Sequence, residues 1–266
     1  MKAKKRFGQV FLTDTHYIRS ILNQVPERPE GTIMEIGPGQ GAITSGLVRK
    51  CSRLLAFEID PDACIALQPI CRTSPHLTLL QQDVLTADLH RFRQGNEKWL
   101  LVGNLPYNVG NLILFKLLEY HDMIESALFM VQREVGDRLV ALPGEKAYSF
   151  LTASLSTFAS FKRLFHLPPG AFRPIPNVES TFLKMTPLEN PCIRPGEREA
   201  YLKLVSLAFS QRRKKAIRVL EKGYPRETLN RFFAEKGLDD NVRAETFPPA
   251  LFADLFHAVA NPSGLT

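Results

Sequence analysis

Asn104, Leu105, Pro106 and Tyr107 set an amide, a backbone kink and an aromatic ring side by side, a grouping suited to a planar base with an exocyclic amine. The Asn104 side-chain carbonyl can accept one N–H and the Leu105 main-chain carbonyl a second. Pro106 has no N–H and a fixed φ, which helps turn that second carbonyl outward. The face of Tyr107 can stack on the base. A proline turn with a capping Asn and a core Tyr would give the same four residues, so the neighbours decide.

Those neighbours are strands. An apolar run, Trp99 to Val102, leads into the motif and reads as a buried strand ending at Asn104. Upstream, the strand Thr32–Ile36 runs into Gly37-Pro38-Gly39-Gln40-Gly41, with a helix expected over 42–50. Such a loop lets backbone approach a ligand at a helix N-terminus. It is not the dinucleotide fingerprint, because the third glycine falls four residues after the first rather than five. Twenty-one residues after Gly37, the strand over 54–57 ends in Glu58, an acidic residue spaced to bind ribose hydroxyls. A third strand over 77–80 leads to Asp83. Four successive strands thus finish in polar or glycine positions, Gly37, Glu58, Asp83 and Asn104, which points to one elongated ligand across the carboxyl ends of a sheet.

The rest of the pattern supplies the frame. Helices are expected over 15–25, 111–120, 133–141 and 149–159, and strands over 127–131, 161–167 and 178–186. The alternation predicts an α/β fold with a mainly parallel, doubly wound sheet. Pro187, Pro191 and Pro195 mark a link, beyond which the chain is helical in pattern. The expected division is 1–189 as a catalytic domain, with 1–14 as a basic arm, and 190–266 as a helical domain. Lys214, Arg218 and Lys222 are predicted to form a helical stripe at four-residue spacing.

Charge follows the same division. Residues 1–20 hold five Lys/Arg against one Asp, and 190–266 hold thirteen against nine acidic residues, while the middle is nearly balanced. Cationic ends on a neutral body suit a polyanion, although a solvated face accounts for charge equally well. Cys51, Cys64, Cys71 and Cys192 show neither CxxC pairing nor His partners at metal spacing, so no metal is expected and a reducing cytoplasm fits. The basic N-terminus lacks an apolar h-region, and no apolar run is long enough to span a bilayer.

Taken in chain order, these segments make the sequence one that resembles the S-adenosylmethionine-dependent small-subunit ribosomal RNA adenine N6,N6-dimethyltransferases. KRFGQVFL, MEIGPGQGAIT, FEID, QQDVL, VGNLPYN, MVQREVGDRLVA, PPGAFRPIPNVES and AFSQRRKKAIRVL follow the family order over nearly the whole chain. The resemblance implies a class I (Rossmann-like) methyltransferase with a seven-stranded, mainly parallel sheet and a small all-helical C-terminal domain. It implies S-adenosylmethionine as methyl donor, held by Val10, Leu12, Gly37, Glu58, Asp83 and Asn104. Val10 departs from the polar side chain usual there, so only a main-chain contact could survive. Asn104, Leu105, Pro106 and Tyr107 match the amine-binding motif, Phe172 an aromatic position lining the target-base pocket, and Arg212, Arg213 and Lys215 a region facing RNA. The implied reaction is dimethylation of N6 on two adjacent adenines in a hairpin loop near the 3′ end of small-subunit rRNA. The implied substrate is an immature subunit, and the enzyme is expected to be a cytoplasmic monomer. A large-subunit rRNA adenine methyltransferase, or a non-catalytic assembly factor on the same scaffold, are the alternatives.

Overall fold

The computed structural model describes residues 9–260, so most of the expected basic arm lies outside the described residues. The chain begins with β1 (Phe11–Leu12) and α1 (Thr15–Gln24), which Asp14 caps by accepting from the His16 and Tyr17 amides at 2.8 and 3.3 Å. There follow β2 (Arg28–Ile36), α2 (Thr44–Leu47), β3 (Cys51–Glu58), α3 (Pro61–Thr73), β4 (Leu77–Gln81), β5 (Trp99–Asn104) and α4 (Gly110–Leu117). Next come β6 (Ile124–Gln132), α5 (Arg133–Leu139), α6 (Phe150–Leu155), β7 (Ala159–Leu167), β8 (Phe172–Arg173) and β9 (Ser180–Pro187). The remainder is α7 (Arg198–Phe209), α8 (Ala216–Leu220), α9 (Arg226–Glu235) and α10 (Pro249–Ala260).

Seven strands form one sheet in the order β4-β3-β2-β5-β6-β9-β7. From β4 through β6 every pairing is parallel, and β9 runs antiparallel to β6. β5 and β6 are near-continuous apolar runs and the last five residues of β2 are buried, as a sheet covered on both faces requires. The chain builds outward from β2 to β4, then returns to place β5 on the other side of β2. Neighbouring connections therefore diverge between β2 and β5, which opens a crevice at the carboxyl ends of those strands. The expected α/β class and seven-stranded, mainly parallel sheet are what the chain forms.

Several helices are shorter than expected, α4 giving way to a 3-10 segment after Leu117 and α6 ending at Leu155. The expected helix over 42–50 contracts to α2, because residues 39–43 are spent on the tight turns of the glycine loop. The Lys214 stripe is broken: residues 210–215 are turn rather than helix, and α8 has only five residues. Among the described residues no helix is long and apolar enough to cross a membrane.

The chain divides into two compact units, Met1–Gly136 with Phe161–Pro187, and Asp137–Ser160 with Leu188–Thr266. The second unit takes in Asp137–Ser160, an excursion between β6 and β7, together with the chain from Leu188 on, so it is not contiguous in sequence. Within that unit α6 packs on α7, the Thr157 hydroxyl lies 2.6 Å from the Tyr201 hydroxyl, and the Tyr148 hydroxyl donates to the Phe247 carbonyl at 2.7 Å. Phe209, Phe252, Phe247 and Phe233 stack ring against ring through its core.

Candidate active site

Strand register brings the four predicted positions together. Ile36 stands opposite Phe57 on β3 and Gly103 on β5, and Glu58 opposite Gln81 on β4. Gly37, Glu58 and Asn104 therefore emerge side by side, with Asp83 two residues past the end of β4. They line a cavity of about 350 Å³, together with Gln9–Leu12 from the N-terminal segment and Leu105 and Pro106 beyond β5.

Glycine conformation shapes the floor. Gly37, Gly39 and Gly41 adopt φ of 69°, 57° and 83°, a region that side chains disfavour. A Cβ on Gly39 would come within 3.0 Å of the Phe11 ring, and one on Gly37 within 3.3 Å of the Asn104 backbone oxygen. The loop is held by Glu58: one carboxylate oxygen accepts from the Gly39 amide and the other from the Asp60 amide, each at 2.9 Å. Burial pushes the Glu58 pKa up, while those amides favour the charged form. Asp83 accepts from the Leu85 amide at 2.9 Å, which fixes its side chain at the cavity wall.

Asn104 divides its amide between structure and site. Its amide nitrogen donates to the Val10 carbonyl at 2.9 Å, while its carbonyl oxygen is buried with no hydrogen-bond partner. Val10 thus contributes through its main chain, and what it does is orient Asn104. The Leu105 amide donates to the Met130 carbonyl at 3.2 Å, and the Pro106 carbonyl accepts from Val109 and Gly110 at 3.2 and 2.8 Å, starting α4. The peptide between these two residues is consequently clamped from both sides.

Other expected residues stand elsewhere. Tyr107 is not in the cavity wall; its ring is half-buried and its hydroxyl lies 2.6 Å from the Ser180 hydroxyl at the start of β9. Burial pushes its pKa up, with the Ser180 hydrogen bond opposing. Phe172 is 0% exposed in the hydrophobic core, opposite Leu12 in the β1–β8 pair, and this corrects the expectation that it lines a base pocket. Aromatic character could not distinguish a core ring from a stacking one. Arg212 is exposed like Arg213 and Lys215, but its guanidinium is engaged within the chain, bonding Glu245 at 2.9 and 3.1 Å and the Tyr148 carbonyl at 2.9 Å. Sequence reasoning passed over Gln9 and Asp60, which join at 2.9 Å at the cavity edge. Their only signal was position, Gln9 within the arm motif and Asp60 two residues past Glu58.

The residues fit S-adenosylmethionine. A positive-φ glycine cradle, a carboxylate at a strand end and an unpartnered buried carbonyl accommodate an elongated nucleoside beside an amine. Fold and site define a class I, S-adenosylmethionine-dependent methyltransferase. The family model for ribosomal RNA adenine dimethylase matches residues 1–261, and the chain belongs to that family of rRNA adenine dimethyltransferases. It is 36% identical over 264 residues to ribosomal RNA small subunit methyltransferase A of Geobacter metallireducens, covering 97% of this chain and 96% of the relative. Its fold is similar to a dimethyladenosine transferase from Plasmodium falciparum, with a TM-score of 0.77, 18% identity and 92% and 95% of the two chains covered. It is also similar to the 23S rRNA methyltransferase ErmE, with a TM-score of 0.71, 24% identity and 94% and 99% covered.

Proposed function

We propose that this rRNA adenine dimethyltransferase modifies N6 of two adjacent adenines in a hairpin loop near the 3′ end of small-subunit rRNA. We take its substrate to be an immature subunit in the cytoplasm, and the enzyme to act as a monomer. The similarity to a relative named for the small subunit, at 36% identity over nearly both lengths, supports that choice over the large-subunit alternative.

The observation that carries the site assignment is the Asn104 amide, its nitrogen tied to Val10 and its oxygen buried and free to accept. Bound S-adenosylmethionine supplies an electrophilic methyl on a positive sulfonium. Glu58 would hold the ribose hydroxyls, and Leu12, Gly37 and Asp83, which line the same cavity, would contact the cofactor as well. Adenine N6 is a poor nucleophile because its lone pair is delocalised into the ring. The Asn104 oxygen and the Leu105 carbonyl accept its N–H groups, favour a tetrahedral amine and aim the lone pair at the methyl. Pro106 keeps that second carbonyl turned outward. Positioning carries most of the rate, so no strong base is needed before attack. Tyr107 stacks on the extruded base, an interaction of about 1–3 kcal/mol. The helical unit grips RNA phosphates through Arg213 and Lys215.

The test is transfer of labelled methyl from S-adenosylmethionine to immature small subunits, with the modified nucleotide identified and mapped. Two neighbouring N6,N6-dimethyladenines near the 3′ end are expected. Label appearing only in large-subunit rRNA would overturn the assignment.

A further inference from the structure

Beneath the glycine loop lies a carboxyl group that the methyl-transfer chemistry does not use. Glu35 is the penultimate residue of β2, 1% exposed, with both carboxyl oxygens buried and without a hydrogen-bond partner. Glu35 stands opposite Val102 on β5, two residues before Asn104, and opposite Ala56 on β3, two residues before Glu58. It therefore sits under the junction of the amine-orienting and ribose-holding residues. The Thr44 hydroxyl of α2, itself buried without a partner, bears on it. Glu58 is the charged group that bears on it, and the Cys51 thiol shares its surroundings.

An unpaired carboxylate in such a place is strongly disfavoured, and the neutral acid is the form that the surroundings support. Burial pushes the Glu35 pKa up to about 8, opposed by the Thr44 hydroxyl and reinforced by Glu58. What could compensate a negative charge there is a positive one in the cavity above. The methyl donor brings a sulfonium cation to the Asn104 end; the spent product carries a neutral thioether and is otherwise the same molecule.

We propose that Glu35 senses the charge of the cofactor: it stands as a neutral acid beneath the loop and ionises when a sulfonium occupies the cavity, so that the site favours donor over spent product. The O–H bond breaks heterolytically, the electron pair stays on the carboxylate and the proton passes to solvent. After methyl transfer the positive charge is gone, Glu35 takes a proton back, and the product is held less tightly. Glu35 is thus a specificity-determining residue for the cofactor, and the inference rests on the S-adenosylmethionine reading of the cavity.

The experiment is calorimetric titration of the full chain with S-adenosylmethionine and with S-adenosylhomocysteine, in buffers of different ionisation enthalpy. The two ligands share adenosine, amino and carboxylate groups and differ in the methyl and the charge it puts on sulfur, and the Glu35→Gln comparison separates Glu35 from the ligands' own titration. The donor is expected to release a fraction of a proton that the product does not. The donor-to-product affinity ratio should rise from pH 7 to 8.5, by about eightfold at most, the limit that linkage to an acid of pKa about 8 sets. Glu35→Gln, a neutral mimic of the resting form, should abolish the extra proton and flatten the ratio. An independent reading comes from wild-type protein carrying carboxyl-labelled glutamate: one NMR resonance should titrate near pH 8 without ligand and at lower pH with the donor. A flat ratio in the wild type, or a rise that persists in Glu35→Gln, would overturn the proposal while leaving the cavity assignment intact. If neither ligand binds, the cavity assignment falls as well.

Discussion

At the scale of single residues, the site depends on what each polar atom has already been given. Both Glu58 oxygens accept from backbone amides, one from Gly39 of the glycine loop and one from Asp60 just past β3, so Glu58→Ala should disturb both as well as remove the ribose hydrogen bonds. S-Adenosylmethionine affinity should fall by about 1.5–3 kcal/mol for each charge-assisted hydrogen bond removed, read by calorimetry, while RNA affinity holds. Unchanged cofactor affinity would remove Glu58 from the site. Tyr107 makes a different demand. The ring is expected to do the stacking, and its hydroxyl is bound to a Ser180 that is 0% exposed. Tyr107→Phe should therefore retain most turnover but lose about 1–3 kcal/mol of stability, because Ser180 is left buried without its partner. Tyr107→Ala should lose turnover too. Equal turnover in the two variants would deny the ring a role in holding the base.

At the scale of elements, β2 carries a cost that depends on pH. The Glu35 pKa stands near 8 in the folded chain against an ordinary 4.5, so between those values the folded state holds a proton that the unfolded state has released. Stability of the ligand-free protein should accordingly be full below pH 4.5 and fall as pH rises toward 8, by about 1.4 kcal/mol per unit at most. Glu35→Gln should remove that decline, and its gain in melting temperature over wild type should grow from pH 5 to pH 8. A constant gain would mean that Glu35 does not titrate in this range. The turn between α7 and α8 separates two kinds of arginine in the same way. Arg212→Ala breaks the Glu245 pair and two hydrogen bonds to carbonyls, and should lower the melting temperature without changing the salt dependence of RNA binding. Replacing Arg213 and Lys215 should leave melting unchanged and reduce the slope of log affinity against log salt by about 0.7 for each single-strand phosphate left without its cation.

At the scale of the molecule, the parts legible in the sequence were those set by short-range pattern. Apolar runs that end in Gly37, Glu58, Asp83 and Asn104 revealed both the parallel sheet and the line of the cavity, because parallel register carries strand ends to one edge. The parts not legible depend on which atoms meet across the fold. Nothing local in Val10 says that its carbonyl holds Asn104, 94 residues away. Nothing in Phe172 separates a core ring from a stacking one, and a run of four cations does not reveal that Glu245 claims the first of them. Residues 137–160 joined the second unit for the same kind of reason, since their partners lie beyond residue 188. The charge excess at the two ends of the chain belongs to this scale as well, although Lys2, Lys4, Lys5 and Arg6 lie outside the described residues.

The central claim is that Asn104 aims the adenine amine, and single-turnover methylation of assembled small subunits by Asn104→Ala tests it most directly. Saturating S-adenosylmethionine removes any contribution from weakened cofactor binding, and a melting curve and an RNA titration on the same preparation control for folding and affinity. RNA affinity comes mainly from phosphates, so it should stay within about twofold. Turnover should fall about a hundredfold or more, the scale expected when a reacting group is no longer held in line. A folded Asn104→Ala enzyme that methylates at the wild-type rate would contradict the amine-orienting role.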